Sequence, residues 1–176
     1  MDQTRIRIAE KNVQNYLREG KLRRVKRFEE IVYKTYLKNS EESLLVATQT
    51  EKTKLSSLWV VVTSYYSMFY MACAYLYKLG FKAGDEIIHQ VVTKALLVHG
   101  RHKIKNYLLD NYSKEKEKAL VVVDNYLDNY EREKIKRSTF QYETTETIKQ
   151  AKAQTSLQRA KEFFTLINEI LINSKH

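Results

Sequence analysis

Apolar residues recur along this chain at alternating steps of three and four, the period of helices that each turn one face toward a core. Ile6, Ala9, Val13 and Tyr16 predict a first helix over about residues 4–19, ended by Gly20. Val25, Phe28, Val32 and Tyr36 extend the pattern into a second, basic helix. Asn39 and Ser40 predict a break or kink there, with a short helix opening at Ser40 and running to Lys54. The strongest stripe follows: Leu58, Val62, Tyr65, Phe69, Ala72 and Leu76 form the seam of a helix packed among others. Ser56, Thr63, Ser67, Tyr70, Ala74 and Tyr77 make a smaller, more polar stripe on its other side. After Gly80 the pattern predicts a loop, a helix starting near Asp85 and closed by Gly100, and a short helix over residues 103–111. A longer helix opens at Ser113 and presents Leu120, Val123, Leu127 and Tyr130. The last helix, capped by Thr144 or Thr145, repeats the spacing at Ala153, Leu157, Ala160, Phe164, Ile167 and Leu171.

Composition narrows the architecture. With no proline and four glycines in 176 residues, turn formers are too few for a sheet of many hairpins. The expectation is an all-α, single-domain bundle of five to seven up-and-down helices spanning residues 1–176, with core helices over about 4–172. No Asp, Glu, Lys or Arg occurs between Leu55 and Tyr77, a run long enough to cross a bilayer. Its many hydroxyls, the weak asymmetry of flanking positive charge and the lack of a second such run argue instead for a buried central helix and no membrane. Cys73, the single cysteine, excludes an intramolecular disulfide and fits a small buried hydrophobe in a reducing compartment. The first residues lack the apolar core of a secretory signal, so the expected location is the cytoplasm. Abundant Lys, Glu and Tyr fit a thermophile.

Charge brings in the chemistry. A formal net charge of +10 points to an anionic partner. It is concentrated at residues 21–27, "KLRRVKR", and at residues 132–137, "REKIKR". Each cluster reads either as a solvated helix face or as a phosphate-binding surface. At the second, Arg132, Lys134, Lys136 and Arg137 crowd a predicted helix end, where cations complement the terminal carbonyls. The same cations, with Phe140 and Tyr142 as aromatic faces, would also suit a nucleotide or RNA. Adjacent helical positions point about 100 degrees apart, which puts Tyr65 in the core and leaves Tyr66 for a cleft. No Gly-rich phosphate loop, Cys-x-x-Cys pair or helical histidine pair occurs, so no metal and no cofactor are expected. His99 and His102 straddle Gly100, and His89 falls at a core edge or in solvent.

Tyr65, Tyr66, Met68 and Phe69, followed by Ala72, Ala74, Leu76 and Gly80, resemble the central helix of HEPN-domain proteins. Downstream, Arg137 and Tyr142 stand where that family carries an Arg and a later Tyr, before a last helix with alanines. The resemblance implies a helical bundle, a homodimer, and binding of nucleotides or RNA. Many members are metal-independent ribonucleases in which an Arg is followed within a few residues by His. Arg clamps phosphate through paired donors and His moves the proton of the attacking hydroxyl. Here Tyr142 takes the place of that His, and a phenol whose ordinary pKa is about 10 is a poor base at neutral pH. The family's loop after the central helix carries a His where this chain has Glu86, with His89 three residues further on. The expectation is therefore a non-catalytic nucleotide- or RNA-binding protein working with a nucleotidyltransferase, in a toxin–antitoxin or defence setting. The alternatives are a ribonuclease with an altered motif, using Arg137 with Tyr142, His89 or His102, and a structural helical interaction protein.

Overall fold

A computed structural model describes the backbone of residues 3–132 and 146–173, with side chains at 3–124 and 149–173. Within these, the order is α1 (Gln3–Arg18), β1 (Leu22–Arg24), α2 (Glu30–Lys52), α3 (Ser57–Lys78), β2 (Phe81–Ala83), α4 (Ile88–Gly100), α5 (Asn106–Arg132) and α6 (Glu146–Asn173). The all-α expectation holds, with six helices and one small two-stranded sheet among the described residues.

The uncharged run becomes α3, the spine of the bundle, packed by α2, α4, α5 and α6. Ser56 caps its start by accepting from the Trp59 N–H at 3.3 Å. Almost every residue from Val60 to Tyr77 is buried, so the seam and much of the supposedly opposite polar stripe both face protein. Fully burying each large side chain here, such as Tyr65, Met68 and Met71, contributes about 1.5–3 kcal/mol. Small residues on α3, among them Ser64, Ser67, Ala72 and Ala74, let neighbouring helices approach closely. Cys73 is buried, as expected, and burial pushes its thiol pKa far up. Among the described residues no helix is long and apolar enough to cross a membrane.

Four boundaries differ from those the periodicity predicts. The basic stretch after Gly20 is an extended strand and turn rather than a helix: Leu22 is fully buried, Arg23 and Arg24 are exposed, and the Arg24 guanidinium lies over the Phe81 ring at 4.9 Å. Its backbone pairs with β2, and Gly20 at φ +74° makes the turn into it. Next, α2 runs unbroken through Asn39 and Ser40. The buried Ser40 hydroxyl donates to the Ser67 carbonyl at 2.8 Å, so a residue that signals a break serves to join α2 to α3. The helix expected near Asp85 begins at Ile88, after Ile87 adopts a left-handed conformation at φ 45°. The two helices expected over 103–111 and from 113 are one, α5, whose buried Leu108, Leu109, Tyr112, Glu115 and Ala119 continue a single face across the predicted join. On α6, Phe163 is fully buried and Phe164 only partly. Leu127, Tyr130 and the caps Thr144 and Thr145 lie outside the residues whose side chains are described.

Candidate functional site

The segment that carries the Tyr-Tyr-x-Met-Phe run meets α4 and α5 at an aromatic cluster. From α3, Tyr65 points inward and is fully buried, while Tyr66, one position on, is only partly covered, as the helical geometry predicts. The Tyr65 hydroxyl lies 2.8 Å from Nδ1 of His89 on α4. The His89 ring packs 4.6 Å from Phe69, 5.5 Å from Tyr65 and 5.8 Å, edge-on, from Tyr66. Tyr66 in turn lies 6.1 Å from Tyr70, and Tyr112 of α5 closes the floor at 5.9 Å from Tyr65.

Burial sets the protonation of this cluster. It lowers the His89 pKa below its ordinary 6.5, with the Lys116 cation adding to the effect. Burial likewise holds the Tyr65 phenol well above its ordinary value. At neutral pH a neutral imidazole and a neutral phenol share one hydrogen bond; moving the proton from Tyr65 to His89 would create a buried ion pair, which burial opposes at both groups.

Beside the cluster, α1, α4 and α5 form a cleft of about 410 Å³ lined by Arg5, Thr93, Lys94, Asp110, Ser113, Lys114, Lys116 and Glu117. Arg5 is committed, donating to Asp110 at 2.5 Å and to Ser113 Oγ at 3.0 Å. Lys94, Lys114 and Lys116 have no carboxylate within ion-pair distance among the described residues. Lys116 is half withdrawn from water, and burial lowers its pKa, with Glu117 acting the other way and Lys94 reinforcing the loss. A cation so placed gains most from an incoming anion, which would restore the charge that desolvation penalises.

The other described histidines do not converge. The partly buried His99 ring stacks 4.2 Å from Phe81 and its buried Nε2 has no hydrogen-bond partner among the described residues, while the exposed His102 accepts from Arg101 Nε at 3.1 Å. Among the described residues no three His, Cys, Asp or Glu side chains group as metal ligands.

Of the residues singled out in the sequence, Tyr66 sits at the cluster. Arg132 is the last residue of α5, with its side chain outside those described; Lys134, Lys136, Arg137, Phe140 and Tyr142 lie outside the described residues. The helical rise places Arg132 about 24 Å along α5 from Lys116, so the cleft and the Arg132 end are separate places on one chain. Sequence reasoning missed Arg5, Thr93, Lys94 and Lys116, which converge from three helices with no common spacing. A signal was available for one of them: Lys116 follows Tyr112 at four residues, on a face otherwise apolar. Comparison with protein-family models, with curated proteins and with solved structures gave no match.

Proposed function

We propose that this chain is a HEPN-like nucleotide- or RNA-binding protein, non-catalytic by itself and cytoplasmic. It acts as a homodimer beside a nucleotidyltransferase partner, in a toxin–antitoxin or defence setting. The observation that carries the reading is the cleft at Lys94, Lys114 and Lys116. Three cations without ion-pair partners among the described residues line it, and the cleft residue Thr93 stands one turn of α4 after His89, whose ring lies 5.8 Å from that of Tyr66 on the helix that bears the resemblance. Phosphate on the lysines and a base against the aromatic cluster is the division of labour that basic and aromatic side chains give to a nucleotide. Arg137 and Tyr142 supply a second phosphate donor set in this reading, and the net charge of +10 supports attraction of polyanions.

A ribonuclease is the second reading, favoured by one observation. His89 is held neutral at pH 7, as a general base requires. Incubating the protein with mixed RNA in EDTA separates the two. Binding without cleavage, weakened in Lys116→Gln and in Arg137→Ala, is expected. Cleavage that survives EDTA and disappears in His89→Ala or Arg137→Ala would replace the binding reading with the nuclease, and Tyr142→Phe would then report whether the phenol takes part. Absence of binding to nucleotide and RNA alike would leave the structural helical protein.

A further inference from the structure

The basic cluster at residues 21–27 stands apart from the cleft, and folding gives it a definite shape. In the antiparallel pair β1–β2, Arg23 lies directly opposite Lys82 and Arg24 opposite Phe81. Like charges directly opposed across two strands destabilise the pairing. No carboxylate is within ion-pair distance of Arg23 or Lys82: among the described residues, ion pairs in this cluster involve Lys21 alone, with Glu19 and Glu86, and Arg23 only shares the lining of a small cleft with Glu19, Asp85 and Glu86. Arg23, Arg24, Lys26, Arg27 and Lys82 are all exposed. The ribbon is nonetheless fixed. Leu22 and Phe81 are buried beneath it, and its ladder continues beyond both ends through Val25 N–H to Gly80 O and Gly84 N–H to Lys21 O, each 2.8 Å.

An aromatic face follows the ribbon in the chain, four residues beyond the end of β1. Phe28, 42% exposed, lies 5.7 Å from Tyr33 and 5.3 Å from Tyr77, with Lys78 Nζ 5.3 Å from its centroid. The Tyr77 hydroxyl accepts from the Glu29 N–H at 3.1 Å, which pins the turn that presents Phe28. Opposed, exposed cations with an exposed ring a few residues on match a single nucleic-acid strand, whose phosphates relieve the repulsion and whose bases stack on flat faces without regard to sequence. An anionic membrane fits less well, because Phe28 lies against two other rings and does not project as an inserting side chain would.

We propose that the β1–β2 ribbon and Phe28 form a track for a single-stranded polynucleotide, with phosphates on Arg23 and Lys82 and a base on Phe28. This rests on the nucleotide- or RNA-binding reading and names its ligand class: a strand of several nucleotides, held at a surface distinct from the lysine cleft.

The test is fluorescence anisotropy of a labelled oligouridylate of about 20 nucleotides, long enough to cover ribbon and ring together. It is repeated across salt and in parallel with uridine monophosphate and with phosphatidylserine vesicles. Removing two phosphate contacts in Arg23→Gln/Lys82→Gln is expected to weaken binding and to flatten the log–log salt slope by about 1.4. Phe28→Ala is expected to weaken oligouridylate binding by about 5- to 150-fold with the slope unchanged. The charge-keeping variant Arg23→Lys/Lys82→Arg retains the slope, and circular dichroism confirms that each variant is folded. Uridine monophosphate binding stays at the wild-type level in all three. Wild-type affinity and slope in the folded double glutamine variant would overturn the track while leaving the nucleotide-binding reading in place. Binding to vesicles but not to oligouridylate would overturn it in favour of a membrane surface, and a wild type that binds neither nucleotide would remove both readings.

Discussion

Glu115 offers the sharpest test of how the bundle is held together. It is fully buried on α5, yet three donors reach it: Ser156 Oγ at 2.5 Å and Arg159 Nη1 at 2.6 Å, both from α6, and Lys118 Nζ at 2.9 Å from its own helix. Burial, the largest single influence, pushes its pKa up, but the hydrogen bonds from Ser156, Arg159 and Lys118 together outweigh it and hold the carboxyl below its ordinary 4.5. Glu115→Gln keeps the volume and removes the charge. Charge-assisted bonds contribute about 1.5–3 kcal/mol each. Arg159 and Lys118 remain 26% and 36% exposed and recover part of that from water, so the expected loss is about 3 kcal/mol. For a chain of this length that lowers Tm by about 6–12 °C at pH 7. Because the folded-state pKa is depressed, this stabilisation is complete above the unfolded value and is lost as pH falls through the native one. The gap between wild type and variant is therefore expected to close in acid. Differential scanning calorimetry at neutral and acid pH checks both parts. A gap below about 1 kcal/mol at pH 7, the range of an exposed ion pair, would refute the reasoning, as would one that does not change with pH.

Three further outcomes are expected. Phe163→Ala is expected to cost about 3–5 kcal/mol in urea unfolding and Phe164→Ala clearly less, since the first ring is fully buried against Tyr112 and the second is partly exposed; equal losses would contradict the α6 register. His89 and His99 both have pKa values lowered by burial, so folding stability is fullest above their ordinary 6.5 and falls as pH drops through the lowered native values. His99→Phe, which retains a ring on Phe81, should reduce that fall in melts from about pH 8 to about pH 5; wild-type stability that rises toward acid would refute it. Tyr65→Phe removes the partner of His89 Nδ1 and is expected to cost about 1–3 kcal/mol, read from the urea midpoint, and an unchanged midpoint would show that the hydrogen bond contributes nothing net.

The sequence by itself determined what repeats locally. Four-three spacing specified the helices, the scarcity of turn formers excluded a large sheet, and the uncharged run from Leu55 to Tyr77 identified the central helix, because each depends only on neighbours along one chain. Tyr65 inward and Tyr66 outward followed from the same geometry. Tertiary contact decided the rest. Residues 21–27 are helical by pattern but open as a strand, Leu22–Arg24, and a turn, since the strand's pairing partner, β2, lies some 60 residues away and its hydrogen bonds outweigh local preference. Ser40 reads as a breaker, yet its hydroxyl finds the Ser67 carbonyl on another helix. The lysine cleft, the Tyr65–His89 pair and the buried Glu115 each join helices that share no sequence spacing, and burial then set their protonation. Periodicity states which face of a helix turns inward; only the packed bundle states what that face meets.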